Sequence, residues 1–355
     1  MEISEIQVDG YEKVVRCRDR ASGLHALIAV HDTTLGPSLG GMRMLPYGSE
    51  DEALFDVLRL SRGMTYKSAI AETGLGGGKS VVIGDPKTLK STELFEAMGD
   101  FVDSLGGLYI TAEDMNIGIP DLDIVRRRTK WVTGLSRESG SSGNPSPYTA
   151  RGCVVGMRAV LEQVFGSDSF DGKRILLQGI GAVGGRLAVL LKEEGAHVVV
   201  CDINEALVEE MCAKYGFEAV PDEHHLDVEC DIYSPCARGA GLNDETIPAL
   251  RCKAVAGCAN NQLLEFRHAD ELRRRGILYA PDYVINAGGI INVSVELLPG
   301  GYNEAVALER IERIYGNLKR LFAISEREQI ATNEAALKLA EARLAEGRAA
   351  RAKQA

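Results

Sequence analysis

The chain has 355 residues, 45% of them apolar and 26% charged, with a formal net charge of −11. That length can bury a large core and favours two domains. The acidic balance argues against a nucleic-acid or anionic-membrane partner, since both recruit basic faces. No apolar run approaches the ~20 residues that span a bilayer, and Met1-Glu2-Ile3-Ser4-Glu5 lacks the basic head and apolar core of a secretory signal. The eight cysteines and six histidines show neither a C-x-x-C pair nor a zinc-ligand spacing. The expectation is a cytoplasmic protein with reduced thiols and no metal site.

Residues 11–45 carry short strand patterns, of which the apolar Ala26 to Val30 is the clearest. Thr34 to Gly41 is too glycine-rich for either regular element. A helix is expected from Ser49, an N-cap followed by Glu50, Asp51 and Glu52 at the positive end of the dipole. Its apolar stripe runs through Ala53, Val57, Leu60 and Met64. Lys67 continues that stripe, and a lysine on an inward face needs an anion, so it is a candidate carboxylate ligand.

Gly74-Leu75-Gly76-Gly77-Gly78-Lys79 follows, and its first reading is a phosphate loop, G-x-x-x-x-G-K-[ST]. Counting back from Gly78-Lys79-Ser80 puts Thr73 where the first glycine belongs. The order of elements is also reversed, with a helix before and the strand-like Val81-Val82-Ile83 after. The glycines instead suggest a backbone-lined pocket around a reactive amine on Lys79. A second helix is expected over Ser91 to Ser104, with Leu94, Phe95, Met98, Phe101 and Val102 inward. The strand Leu108 to Ala112 then delivers Asp114 at its C-terminal end, where α/β proteins place chemistry.

Residues 139–147 form the sharpest composition break, with Asn144 or Ser146 as the cap of a following helix. This places a domain boundary after residue 138. The strand pattern Lys173 to Gln178 leads into Gly179-Ile180-Gly181-Ala182-Val183-Gly184, then a helix, then a strand ending at Asp202. A G-x-G-x-x-G between strand and helix, with an acid about 20 residues on, is a dinucleotide fingerprint. Asp202 suits ribose hydroxyls and would repel a 2′-phosphate, which favours NAD over NADP. Later strands at 231–233, 254–256 and 277–279 fit a doubly wound parallel sheet. Amide-rich turns are expected at Ala259 to Gln262 and at Val284 to Gly289. A long amphipathic helix over 302–325 precedes a last helix and a basic tail, the least informative segment, whose end is expected to fray.

Taken together, Gly36-Pro37-Ser38-Leu39-Gly40-Gly41, Met64-Thr65-Tyr66-Lys67, Gly76-Gly77-Gly78-Lys79, Thr111-Ala112-Glu113-Asp114, Ser142-Gly143-Asn144-Pro145, Ala259-Asn260-Asn261-Gln262 and the run Pro281 to Gly289 resemble the Glu/Leu/Phe/Val amino-acid dehydrogenases, and within them the leucine dehydrogenases. The resemblance implies an N-terminal α/β substrate and oligomerisation domain over 1–138, a Rossmann NAD domain over 139–329, a cleft between them, a C-terminal helix (330–355) returning to the first domain, and a homo-octamer. It implies Lys79 and Asp114 as catalytic residues and Lys67 as the ligand of the substrate α-carboxylate. Leu39, Gly40, Ala112, Asn261, Ile290 and Val293 are implied as further substrate contacts. Thr149, Gly179, Ile180, Gly181, Ala182, Val183, Gly184, Gly185, Asp202 and Asn286 are implied around the cofactor. The reaction so implied is the reversible oxidative deamination of an L-amino acid to a 2-oxo acid and ammonia. In that reading Lys79, beside Lys67, has its pKa lowered by like charge and desolvation. Leu39 and Val293 are apolar where acidic-substrate relatives carry polar groups, and Ala112 stands where aromatic-substrate relatives have glycine. Leucine, valine and isoleucine are therefore the expected substrates. A phenylalanine dehydrogenase is the alternative within the family, and a silent NAD-binding redox sensor the alternative outside it.

Overall fold

The computed structural model describes residues 1–237 and 239–353; the expected fraying at the chain's end lies outside the described residues. The chain divides into two compact units: Met1–Asn144 with Val293–Asn303 and Ala340–Ala355, and Pro145–Asn292 with Glu304–Leu339. The break falls at the end of the glycine- and serine-rich stretch. Val293–Asn303, drawn on the sequence into the second domain, groups with the first unit.

The first unit contains β1 (Glu2–Glu5), β2 (Lys13–Asp19), β3 (Leu24–Asp32), β4 (Ser38–Leu45), α1 (Glu50–Ile70), β5 (Gly76–Ile83), α2 (Thr92–Asp103), β6 (Tyr109–Glu113) and α3 (Ile119–Arg126). The strands form one sheet in the order β1-β2-β3-β5-β4-β6. The first three pair antiparallel, as does β3 with β5, while β5, β4 and β6 run parallel. α1 packs on the face carrying Leu27, Ala29 and Val81. The other face, with Ile28, Met42, Met44 and Val82, holds a larger core with Leu94, Phe95, Met98, Phe101 and Val102 of α2 and Leu122 and Val125 of α3. Ser49 and Ser91 cap α1 and α2 by accepting from Glu52 N and Leu94 N, both at 3.1 Å, each cap contributing about 1 kcal/mol.

Two glycine stretches expected to lie outside regular structure are in strands. Ser38 to Gly41 opens β4, and Gly76 to Gly78 opens β5. The reason is close approach rather than turning. A Cβ on Gly40 would sit 1.7 Å from Gly78 O, and one on Gly77 would sit 2.1 Å from Thr65 N in α1. The same approach corrects the α1 stripe. Ala53, Val57, Ser61, Thr65 and Ser68 are the buried line, whereas Leu60 and Met64 are only half-buried. A helix lying against bare glycine backbone has room for small residues only.

The second unit contains α4 (Ser146–Phe165), β7 (Arg174–Gln178), α5 (Gly184–Glu193), β8 (His197–Cys201), α6 (Glu205–Tyr215), β9 (Glu218–Ala219), β10 (Ile232–Pro235), α7 (Thr246–Ala249), β11 (Ala254–Val255), α8 (His268–Arg274), β12 (Leu278–Tyr279), α9 (Asp282–Ile285), α10 (Gly288–Ser294, its end in the first unit), α11 (Glu304–Glu328) and the start of α12 (Thr332–Ala352). The sheet order is β12-β11-β10-β7-β8-β9, all parallel. Numbered within the unit this is 3-2-1-4-5-6, the doubly wound nucleotide-binding order, which reverses between β7 and β10. Pro145 occupies the N-cap position of α4, where Asn144 or Ser146 was expected. The expected turn at Val284 to Gly289 is largely helical, because α9 and α10 divide it.

The basic tail is not featureless. Arg343 donates to Ala69 O (3.0 Å) and Ile70 O at the end of α1 and pairs with Glu72. Arg348 pairs with Asp32 at 2.8 Å, and Arg351 donates to Thr33 O. Arg343 thus places its cation at the negative end of the α1 dipole.

Candidate active site

Leu39 pairs with Gly77 and Met42 with Ser80, which sets Gly41 level with Lys79. On its other side Gly41 pairs with Ala112 of β6. The middle strand therefore carries no side chain between Lys79 and the residue after β6, Asp114. Lys79 Nζ reaches across that gap to Asp114 Oδ2 at 2.7 Å. The fit leaves no slack, since a Cβ on Gly41 would lie 2.4 Å from Glu113 O and 2.7 Å from Asp114 Cβ.

The same oxygen accepts from Arg43 Nε at 2.8 Å. Arg43 Nη1 donates to Asp56 Oδ2 at 3.1 Å, and Asp56 also accepts from the Tyr47 hydroxyl (2.8 Å) and from Arg59 (2.9 Å). A chain of alternating charge thus runs Lys79, Asp114, Arg43, Asp56, Arg59. Sequence reading missed Arg43 and Asp56. The signal was strand parity, which puts Leu39, Gly41 and Arg43 on one face of β4.

Lys79 is only 5% exposed. Burial pulls its pKa down from the usual lysine range, and the Asp114 carboxylate only partly restores it. The like charge that adds to the depression is that of Arg43, where Lys67 had been expected. Burial raises the Asp114 pKa, but Lys79 and Arg43 outweigh it and the net shift is downward. Neighbouring Glu113 moves upward, through burial and then through Asp114. Two carboxylates side by side are thus shifted in opposite directions, and the amine is moved toward the range useful for a base.

Lys67 lies half-buried in the last turn of α1. Leu39 and Gly40 are buried in β4, Ala112 is half-buried in β6, and Val293 is 7% exposed at the end of α10. In the second unit Ile290, half-buried, belongs to the same helix. Asn261 is exposed with a left-handed backbone, φ 52°, and its carbonyl accepts from Ala240 N at 2.6 Å. Asn286 is buried, and its side-chain amide donates to Cys258 O (3.2 Å) and Asn260 Oδ1 (2.8 Å). Thr149 sits in the first turn of α4, its hydroxyl donating to Pro145 O.

The turn between β7 and α5 fits a pyrophosphate. Gly179 has φ 97°, and a Cβ there would lie 2.5 Å from Ala237 Cβ. A Cβ on Gly184 would lie 2.1 Å from Gly179 O, so this glycine brings helix and strand together. Among the described residues, no atom beyond its chain neighbours lies within 4 Å of where a Cβ on Gly181 would be, which leaves space above the turn. Ile180 and Gly185 are buried, while Ala182 and Val183 line the approach to α5. Asp202 Oδ2 accepts from Ile180 N at 2.8 Å and Oδ1 from Asn204 N at 2.9 Å. The carboxylate keeps further lone pairs for a ligand.

Among the described residues, two mixed donor groups come together without a spacing signature: Cys201 with Asp222 and His225, and Asp244 with His268 and Glu271. The second is internally engaged, with Asp244 paired to Arg267 and His268 Nδ1 accepting from Glu265 N.

Comparison with known proteins agrees with this geometry. Residues 11–132 match the Glu/Leu/Phe/Val dehydrogenase dimerisation domain, and residues 202–352 match the Glutamate/Leucine/Phenylalanine/Valine dehydrogenase domain. The chain belongs to the Glu/Leu/Phe/Val dehydrogenase family. Leucine dehydrogenase of Geobacillus stearothermophilus is 52% identical over 341 residues, covering 96% of this chain and 92% of that protein. Phenylalanine dehydrogenase of Thermoactinomyces intermedius is 46% identical over 94% of this chain and 92% of its own length. Among solved structures, L-tryptophan dehydrogenase from Nostoc punctiforme superposes with a TM-score of 0.86 at 41% identity, covering 96% and 97% of the two chains. As a member of this family the chain is an amino-acid dehydrogenase that works with a pyridine nucleotide. No described helix is long and apolar enough to cross a membrane.

Proposed function

We propose that this amino-acid dehydrogenase is a leucine dehydrogenase, which oxidatively deaminates leucine, and with it valine and isoleucine, to the 2-oxo acid and ammonia, reversibly. The observation that carries the chemistry is the pair of buried Lys79 with half-buried Asp114 at 2.7 Å. Lys67 holds the substrate α-carboxylate. Asp114 takes a proton from the substrate ammonium, which frees the nitrogen lone pair. A bound NAD supplies the hydride acceptor. Lys79, with its lowered pKa, then takes a proton from the water that adds to the substrate imine carbon, and Asp114 returns a proton to the departing nitrogen. Lys79 passes its proton to solvent and takes up the proton of the new hydroxyl as the C–N bond breaks, and the 2-oxo acid and ammonia leave.

Leu39, Ala112, Ile290 and Val293 offer an aliphatic side chain only apolar surface, and an acidic one would be left desolvated and unpaired. One methylene in such a pocket is worth about 1–3 kcal/mol, so leucine, valine and isoleucine are all accepted. Asn261 and Gly40 contact the substrate. Thr149, Asn286, Gly179 to Gly185 and Asp202 hold the cofactor, and the Asp202 charge favours NAD over NADP. The eight free cysteines support a reducing, cytoplasmic setting. Assembly is as a homo-oligomer of eight through the first unit. The test is NAD reduction with leucine, valine, isoleucine, phenylalanine and glutamate side by side. Branched-chain substrates should lead, and a preference for phenylalanine would move the protein to the other branch of the family.

A further inference from the structure

We infer that Arg43 is the positioning residue for the Lys79–Asp114 pair: it fixes Asp114 by Oδ2, leaves Oδ1 as the oxygen that exchanges protons, and is itself set by Asp56. This rests on the roles proposed above for Lys79 and Asp114.

Three observations carry it. Arg43 and Lys79 both donate to Oδ2, at 2.8 and 2.7 Å, while Oδ1 has no partner among the described residues. Arg43 is itself well buried (its side chain 14% exposed) and held from behind by Asp56 at 3.1 Å. Asp56 is in turn fixed by Tyr47 and Arg59, so the fork cannot swing without breaking an outer pair. A carboxylate bound by one cation can rotate about its Cβ–Cγ bond. Two donors from different strands on a single oxygen remove that freedom, and pre-oriented groups are what positional catalysis needs.

The charged and titratable groups that act on Asp114 and Lys79 are each other, Arg43 on β4, Glu113 and Tyr109 on β6, Tyr47 in the loop before α1, and Asp56 on α1, with Arg59 behind Asp56. Arg43 adds positive charge beside both members of the pair. Removing that charge makes both Asp114 and Lys79 easier to protonate, so the two effects share a sign. Because the groups are coupled, the acidic limb of kcat/KM reports the pair rather than either residue. Asp56 acts in the opposite sense, because its negative charge raises the Lys79 pKa.

The experiment is the pH profile of kcat/KM for leucine with NAD in wild type, Arg43→Gln, Arg43→Lys, Asp56→Asn and Asp114→Asn, with thermal melting of each. Arg43→Gln should shift the acidic limb up by about one pH unit or more, and Arg43→Lys should restore most of that shift. Asp56→Asn should move the limb the other way, by less, and keeps the test available if Arg43→Gln does not fold. Limbs at the wild-type position in the Arg43→Gln and Asp56→Asn enzymes, whatever their kcat or melting temperature, overturn the inference. Wild-type turnover by Asp114→Asn would instead overturn the proton-transfer role beneath it, so the two failures are distinct.

Discussion

Replacing Gly41 by alanine adds one methyl group to a buried strand, and its consequences can be worked from the geometry. The new Cβ would stand 2.4 Å from Glu113 O, against about 3.4 Å for an ordinary contact. The end of β6 must therefore retreat by roughly 1 Å, because the obstacle is backbone and cannot rotate away. Asp114 follows that backbone, and its 2.7 Å contact with Lys79 opens by a similar amount. A misplacement of ~1 Å costs on the order of 10²-fold in rate, and overpacking a core costs about 1–3 kcal/mol. The assay is leucine-dependent NAD reduction together with thermal melting, with Gly63→Ala as the control. Gly63 lies within α1 with nothing near its Cβ position, so that change should add up to about 1 kcal/mol through helix propensity and leave kcat alone. A Gly41→Ala enzyme with wild-type rate and stability would refute the claim that a bare strand is needed for the pair to meet.

Other outcomes follow from the same residues. Asp114→Asn leaves Lys79 buried beside Arg43 without its anion, at a cost of about 3–5 kcal/mol at neutral pH. Asp114 has a lowered folded pKa, so in wild type its contribution is present above the unfolded value and is lost as pH falls through the folded one. Lys79 has a lowered folded pKa as well, so stability rises with pH from that value toward the unfolded lysine value. In the variant this rise should begin at lower pH, which melting curves across pH 6–10 would register. Asp202→Ala removes the acceptor of the Ile180 amide and the proposed ribose partner. The KM for NAD should rise at least tenfold while the KM for leucine moves little, in steady-state kinetics. Arg343→Met deprives the α1 terminus of its charged donor, and denaturant titration should show a loss of about 2 kcal/mol or more.

Much of the fold was legible because periodicity and caps are local. Ser49 and Ser91 marked the starts of α1 and α2, and the inward residues of α2 were all correct. The Gly179 turn followed by Asp202 gave the second sheet its nucleotide-binding character. What sequence reading missed depends on partners distant along the chain. Gly40 and Gly76 to Gly78 look like loop residues until the neighbouring strands and α1 are seen to press on them. Leu60 and Met64 look like core residues until the glycine strand leaves them no room. Arg43 is an unremarkable strand arginine until α1 brings Asp56 behind it. The basic tail was uninformative because its arginines meet carbonyls at 69–70 and a carboxylate at 32, some 270–320 positions away.

The most direct test of the central claim, that the buried amine of Lys79 serves as base in amino-acid deamination, is leucine-dependent NAD reduction by Lys79→Ala beside wild type. The account predicts a fall in kcat of about 10²–10⁴-fold with the melting temperature largely kept, since the substitution removes a charge that burial already disfavours. Turnover at the wild-type rate would contradict it.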